Sequence, residues 1–369
     1  MIRERLIQTF TELVSIDSPS LREGKAAIHI KRKFEELGIG LEADEGGKRC
    51  GSDTGNLYAY VKGTLSGEPV LLSAHMDTVA PALGKKAVLH SDGRITSDGT
   101  TVLGADDMAG ITSIYEAVSY LKNNQIRHKD FEILFTVGEE LYCRGAKSFD
   151  FSKIKAKQAY VLDLSGRVGE AAWAAPTILS FEVTITGKAA HAGFCPEEGI
   201  HAVAVAARAI AGLKLGRIDD STTANIGMIN GGNGINIIPE NCVLQGEIRS
   251  LCHESALKAA EEYREAFIRA AKEAGAKIDW RDQIHLKAYK TAPECEAVQH
   301  YKNTCERLSI PVKLLATFGG SDNNVFAQHG IEGLVLATAM NQVHSCDEYT
   351  QVEELDKITQ IVCGLLTGN

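Results

Sequence analysis

Residues 131–140, FEILFTVGEE, place two adjacent carboxylates directly behind a short apolar run. Ile133, Leu134, Phe135 and Val137 make a run of strand length, rich in residues that suit a pleated, buried surface. Gly138 interrupts the run, and Glu139 and Glu140 follow at once. Successive side chains at such a place point different ways. One carboxylate can therefore bind a metal while its neighbour stays free to move protons. Taken alone, a Glu-Glu pair reads as a solvated acidic turn. Three other strand ends change that reading.

A chain of 369 residues is long for one core, which predicts two compact units. At 44% hydrophobic and 24% charged, the composition is that of a soluble globular protein. No segment approaches the roughly 18 uninterrupted apolar residues of a membrane span, so no membrane partner is expected. The N-terminal MIRERLIQTFTELV mixes charge with apolar residues and does not read as a secretory signal. A net charge of −9 gives no ground for a nucleic-acid surface. Nine scattered cysteines without a C-x-x-C pair read as reduced thiols of a cytoplasmic protein.

Leu6, Ile7, Phe10, Leu13 and Val14 recur at helical spacing and predict an amphipathic helix over 2–14. The turn SIDSPS follows, with Pro19 favouring the start of the next element. Ala27, Ile30, Phe34 and Leu37 mark a second helix, ended by Gly38. Strands are expected at 57–61 and 70–74. The second runs into His75-Met-Asp77, where side chains two apart share a face. Asp77 can then hold one ring nitrogen of His75 while the other meets a metal. The Ser-Asp-Gly repeats of SDGRITSDG read as turns. Gly104-Ala-Asp106-Asp107 opens a helix carrying Ile111, Ile114, Tyr115, Val118 and Leu121. A helix N-terminus favours acidic residues, which accounts for one of these two aspartates better than for both.

YVLDLSG is a further buried strand ending in Asp163, and GLVLATA is another, followed by NQVHSCDE with His344. So His75, Glu140, Asp163 and His344 each sit at or just past the C-terminal end of an apolar strand. Such ends gather at one edge of a parallel sheet, where ligands bind.

Between them lies a region of different character, 177–285. It reads strand, helix, strand, strand, helix, strand, the split βαβ order of a ferredoxin-like α+β domain. The expected organisation is an α/β catalytic domain, residues 1–176 plus 286–369, interrupted by this inserted lid or dimerisation domain. Its GGNG precedes a strand-like INIIPE rather than opening a helix, so it is not a dinucleotide fingerprint.

Imidazole and carboxylate donors suit zinc or related divalent ions. Two ions sharing a bridging Asp need about five protein ligands and supply hydroxide near neutral pH. The spare member of the Glu-Glu pair then moves the proton. That points to hydrolysis of an amide or peptide bond.

HMDTV, GADDMAG, TVGEE, YVLDLSG, AAHAG and the late VHS together resemble the M20 metallopeptidases, most closely their peptidase T-like branch. The resemblance spans nearly the whole chain and implies a zinc-exopeptidase fold with a mixed sheet flanked by helices. It implies two zinc ions per subunit, with cobalt or manganese also suited. His75 and Asp163 would bind one ion, Glu140 and His344 the other, and Asp106, followed by a cis peptide, would bridge. Asp77 would orient His75, and Glu139 would be the general base. His191 of AAHAG would help hold the substrate oxyanion, commonly from the partner of a homodimer formed through 177–285. Arg249 would meet the substrate carboxylate, with Asn236, Gly320 and Ser321 at pocket positions. The implied activity is an aminopeptidase acting on short peptides, above all tripeptides.

Met108 stands where related sequences have Lys, and GGSDNNVF replaces their GGTDG. Met108 is beside the site but not a ligand, so activity is expected to survive the change, whereas GGSDNNVF bears on substrate choice. An amidohydrolase of N-acyl or N-carbamoyl amino acids is the rival enzyme. A non-catalytic binding protein is the rival of another class, though it would not need Glu139. His201, His253, His300 and His329 read as ordinary histidines, and Cys143, without a histidine partner, as packing.

Overall fold

The structure is a computed structural model that describes residues 2–368. It divides into two units. One comprises Met1–Trp173, Lys290–Thr317 and Ser321–Asn369, the other Ala174–Tyr289 and Phe318–Gly320. The breaks fall at 173/174 and 289/290, and Phe318–Gly320 is added to the second unit.

The first unit is built on a mixed sheet. Its centre is four strands in the order Phe131–Thr136, Val70–His75, Gln158–Leu164 and Glu332–Ala337, all mutually parallel. Leu57–Val61 extends one side and Glu170–Ala175 the other, both antiparallel. The first two central strands are buried at every position, as parallel strands covered on both faces are. Their apolar runs therefore lack the alternation of a half-exposed strand.

Helices Ile2–Val14, Ala105–Asn123 and Val352–Thr367 pack together, and the middle one also packs on strands Val70–His75 and Gln158–Leu164. This explains a departure from the one-faced helix expected there. Ala105–Asn123 is buried on nearly all sides from Ala105 to Ser119 because it lies between sheet and outer helices. The second helix, Gly24–Glu36, buries Ala27, Ile30 and Phe34 as expected. Pro19 does not start it; the residue before the first turn is Glu23. The SDGRITSDG segment is not turns alone. Arg94–Thr96 is a strand, paired with Tyr349–Gln351 and Val88–Leu89.

The second unit has an antiparallel sheet in the order Gly216–Asp219, Thr222–Gly231, Asn241–Ser250, Thr177–Thr186, Lys277–Leu286. Helices Ala202–Ala211 and His253–Ala274 pack on it. Leaving aside the short edge strand Gly216–Asp219, this is the expected ferredoxin-like arrangement. Phe181, Val183, Ile185, Leu244, Tyr263 and Phe267 form its core. INIIPE is not a strand; only Ile237 makes a bridge, to His191. Among the described residues, no helix is long and apolar enough to cross a membrane.

Phe34 is fully buried and packs on Tyr115 and Phe135, at ring separations of 5.4 and 5.6 Å. It thus ties an outer helix to the strand that leads to Glu139. Phe34→Ala should cost about 3–5 kcal/mol, read as an earlier midpoint in denaturant unfolding. A midpoint at the wild-type position would show that this contact does not support the sheet.

Candidate metal centre

The four central strands point the same way, so their C-terminal ends deliver side chains to one edge. His75 ends its strand, Asp163 lies at the end of Gln158–Leu164, and Glu139 and Glu140 form a short 3₁₀ turn after Phe131–Thr136. His344 follows Glu332–Ala337. Asp106 comes from the turn before its helix, where Asp106 and Asp107 leave helical geometry and the peptide between them is cis.

These side chains converge. The His75 Nε2 lies 2.9 Å from Asp106 Oδ1 and 3.8 Å from Asp163 Oδ1. The other Asp106 oxygen lies 3.2 Å from His344 Nε2, which is 3.1 Å from Glu140 Oε1. Asp106 therefore stands between two groups of donors, one with His75 and Asp163 and one with Glu140 and His344. The two adjacent glutamates both come within reach of His75 but have different hydrogen-bond partners. The Glu140 carboxylate turns to His344, whereas Glu139 Oε1 accepts a hydrogen bond from the Cys143 thiol at 3.3 Å. Cys143 is thus more than packing.

Asp77 organises this edge. Its carboxylate accepts the Glu139 and Glu140 amides at 2.9 and 3.2 Å and the Ser20 hydroxyl at 2.7 Å. Toward His75 its backbone oxygen is nearer, 3.0 Å from Nδ1, with the carboxylate at 3.4 Å. The carbonyl can only accept, so Nδ1 carries the proton and Nε2 faces the carboxylates. Asp107 has a separate task. It accepts the amides of His75 and Gly110, both at 3.1 Å, pinning strand end and helix start. One aspartate of the pair is the helix-terminal residue and the other faces the cluster.

Burial raises the carboxyls of Glu139, Glu140 and Asp163, and their mutual repulsion adds to it. For Asp106, burial acts in the same direction, but His344 and His75 outweigh it and hold the carboxyl below its usual range. Its two hydrogen bonds, to Asp106 and Glu140, lift His344 to about 10. Converging oxygens and imidazole nitrogens that can shed this charge only by taking up protons are the donor set a divalent cation needs. The residues present fit such a group.

Several contributors escaped the sequence reading. Asp322 is buried, accepts from the Thr136 hydroxyl at 2.5 Å, and lies with Glu139 and Cys143 in one cluster. Burial pushes it up to about 6. Glu23 accepts the amide of Gly138 at 2.8 Å, fixing the turn before the glutamates. Glu348 accepts the amides of Gly104 and Asp106 at 2.7 and 2.9 Å, and burial raises it to about 7. The departure GGSDNNVF was the one visible signal for Asp322; Glu23 and Glu348 had none.

The substrate-side candidates divide between the units. Ser321 is buried in the first, its amide donating to Asn324 Oδ1 at 3.1 Å. Gly320, His191, Asn236 and Arg249 are in the second. There His191 and Asn236 meet, since the Ala192 amide donates to Asn236 O at 2.9 Å. The His191 Nδ1 accepts the amides of Gly193 and Phe194 at 3.1 and 3.2 Å, and its ring stacks on Phe194. Arg249 is held by the Glu247 carboxylate at 2.7 and 3.0 Å and donates to Phe318 O at 2.8 Å. Met108, in the first unit, is fully buried. His201, His253 and His300 make side-chain hydrogen bonds, and His329 stacks on Phe151.

Comparison with known proteins agrees with this geometry. Residues 174–275 match the M20 peptidase dimerisation domain, and residues 56–179 match peptidase family M28. Over 367 residues the chain is 38% identical to the uncharacterized protein YqjE of Bacillus subtilis, covering 99% of each. It is similar to the crystal structure of aminopeptidase PepT from Bacillus cereus, with 40% identity, a TM-score of 0.93 and coverage of 99% and 98%. A tripeptidase structure from Staphylococcus aureus gives 33% identity and a TM-score of 0.97, again over 99% and 98%.

With its side chain lifted to about 10, His344 is protonated in the metal-free protein at pH 7. A cation at its Nε2 expels that proton. The sign follows: affinity rises with pH as fewer protons are displaced. The metal-free protein, in turn, loses the stabilisation of this ion pair as pH climbs from about 6.5 through about 10. Calorimetric titration with Zn²⁺ at pH 7, in two buffers of different ionisation enthalpy, should show at least about one proton released per chain. Heats independent of buffer would contradict the charged imidazole.

Proposed function

We infer the reaction from what the chain is: a peptidase that belongs to the M20 family, on its peptidase T-like branch. The proposed activity is release of the N-terminal residue from short peptides, tripeptides first, at a pair of zinc ions. The observation that carries this reading is the convergence of His75, Asp106, Asp163, Glu140 and His344 at one sheet edge, with Glu139 beside them. The tripeptide preference draws on the Staphylococcus aureus tripeptidase, to which the chain is similar along its whole length.

His75 and Asp163 would hold one ion, Glu140 and His344 the other, and Asp106 both. When bound, such a pair polarises the scissile carbonyl and makes a water acidic enough to attack near neutral pH. Asp77 keeps Nδ1 of His75 protonated and turned, and holds both glutamates by their amides. Glu139 takes a proton from the attacking water and delivers it to the leaving amine. The Cys143 thiol donates to Oε1 and helps to orient this carboxylate. His191 donates to the carbonyl oxygen as it gains charge. Two amides already donate to its Nδ1, which assigns the ring proton to Nε2, the nitrogen such a role requires. Arg249 meets the substrate's carboxylate, and Asn236, Gly320 and Ser321 are further substrate-binding candidates.

The match of residues 174–275 to a dimerisation domain supports a homodimer through that domain. So do Met228, Ile229 and Ile235, apolar yet exposed on it. None of the nine cysteines forms a disulfide, which supports a reducing, cytoplasmic setting.

Glu139→Gln should keep both ions and lose roughly 10²–10⁴ in turnover, whereas Glu140→Gln should lose metal first. Elemental analysis and a panel of di-, tri- and N-acylated substrates check this together. Near-wild-type hydrolysis by metal-loaded Glu139→Gln would remove its role as base, and a preference for the acylated compounds would favour the amidohydrolase. Sedimentation should show a dimer at micromolar concentration. If His191 acts across that dimer, mixing His191→Ala with Glu139→Gln protein should restore activity through subunit exchange, which neither variant shows alone. Exchanged mixtures that stay inactive would place the histidine and the base in one chain.

A further inference from the structure

We propose that Glu348 is a positioning residue: it locks the turn that carries Asp106 to the loop that carries His344. It thereby sets the affinity of the ion those two side chains would share with Glu140. The inference rests on the metal-centre reading above and adds to it a residue that touches neither ion nor substrate.

Glu348 is buried, and both its oxygens are used on backbone. Oε2 accepts the Gly104 amide at 2.7 Å and Oε1 the Asp106 amide at 2.9 Å. The carboxylate therefore spans two alternate amides of the turn and fixes the backbone from which the Asp106 side chain departs. The turn is constrained from the other side as well. Gly104 has φ +80°, and a Cβ there would stand 3.1 Å from the Lys85 ammonium. Lys85 is itself buried and donates to the Thr78 hydroxyl at 3.0 Å. A buried cation beside the Glu348 clamp offsets part of the cost of burying its charge.

At its other end Glu348 belongs to a closed loop. The backbones of Asn341 and Tyr349 exchange hydrogen bonds at 3.0 and 3.1 Å, and the Glu348 amide returns to Ser345 O at 3.2 Å. His344 lies within that loop, and its stem Tyr349–Gln351 is paired with Arg94–Thr96. Turn and loop are far apart in sequence, yet their donors, Asp106 Oδ2 and His344 Nε2, stand 3.2 Å apart. Glu348 ties one backbone to the other beside that contact. A glutamine in its place presents an amide NH₂ to one of two amide donors, so only one of the two bonds survives. Loss of such an outer partner typically costs about 10–100-fold in metal affinity.

The test is dialysis of the Zn²⁺-loaded full chain against chelator-buffered free Zn²⁺, with retained ions counted by elemental analysis. Wild type, Glu348→Gln and Glu348→Asp are compared, and the melting temperature of each metal-free chain is recorded. In Glu348→Gln one ion should be lost at about 10–100-fold higher free Zn²⁺ than in wild type. The other should shift less, and metal-free melting should fall modestly, because one buried amide loses its acceptor. Wild type that never holds two ions would defeat the metal-centre reading itself. Wild type that holds two while Glu348→Gln keeps both at unshifted free Zn²⁺, or loses both in parallel, overturns the proposal alone. If the glutamine variant does not fold, Glu348→Asp decides. It keeps the charge but is too short to span both amides, so unshifted retention there overturns the proposal equally.

Discussion

Repulsion among buried carboxylates is the constraint on which the rest of this structure depends. Asp77, Asp106, Glu139, Glu140 and Asp163 crowd one edge of a sheet around two imidazoles. Two like charges ~4 Å apart repel by about 4 kcal/mol at an effective dielectric constant near 20. A few such pairs would consume the whole of a domain's roughly 5–15 kcal/mol of stability. The fold answers in two ways. Asp77, Asp107, Glu23 and Glu348 are satisfied by backbone amides, fixed partial charges that cost no side-chain entropy. Glu140, Asp106 and Asp163 instead face imidazoles and one another, a deficit that protons meet in the metal-free protein and cations can meet better. Carboxylates turned onto backbone build the site, and those left facing each other are free to bind.

This division also separates what could be read in the sequence from what could not. His75, Glu140, Asp163 and His344 were visible because each follows an apolar strand, and parallel strands bring such ends together. That rule is local in sequence and global in space. Glu348 and Glu23 obey no such rule. Each acts through amides that are distant in the chain, and a glutamate before an apolar or helical stretch looks like any solvated one. The strand within SDGRITSDG was hidden for a similar reason. Three residues, RIT, make a strand only because Tyr349–Gln351 lies against them, and Ser-Asp-Gly on each side gave the stronger local signal for turns. Cys143 was read by elimination, which finds no nucleophile but is silent about a hydrogen bond to a neighbour four residues earlier. The helix after Asp106 showed its inner stripe, but not that its outer face would be covered by two further helices.

The arrangement of donors limits how substrate is chosen. Every candidate metal ligand lies in the first unit, while Arg249, Asn236 and His191 lie in the second. The candidate metal ligands and these three residues proposed to meet substrate therefore lie in different units of the chain. Arg249 shows what recognition has to overcome. Of the five N–H groups of a guanidinium, two are engaged by Glu247 and one by Phe318 O. Its charge is already matched by a carboxylate on the same strand, and the pair is only partly exposed, at 31% and 34%. In the proposed role, a substrate carboxylate would meet a guanidinium with two N–H groups left and little net charge to attract it from a distance. The gain from that contact is short-range and directional, set by whether the peptide's end reaches those two groups. Recognition of this kind reads length more than charge. The proposed preference for short peptides would require such discrimination, since a longer chain carries the same terminal carboxylate but places it elsewhere.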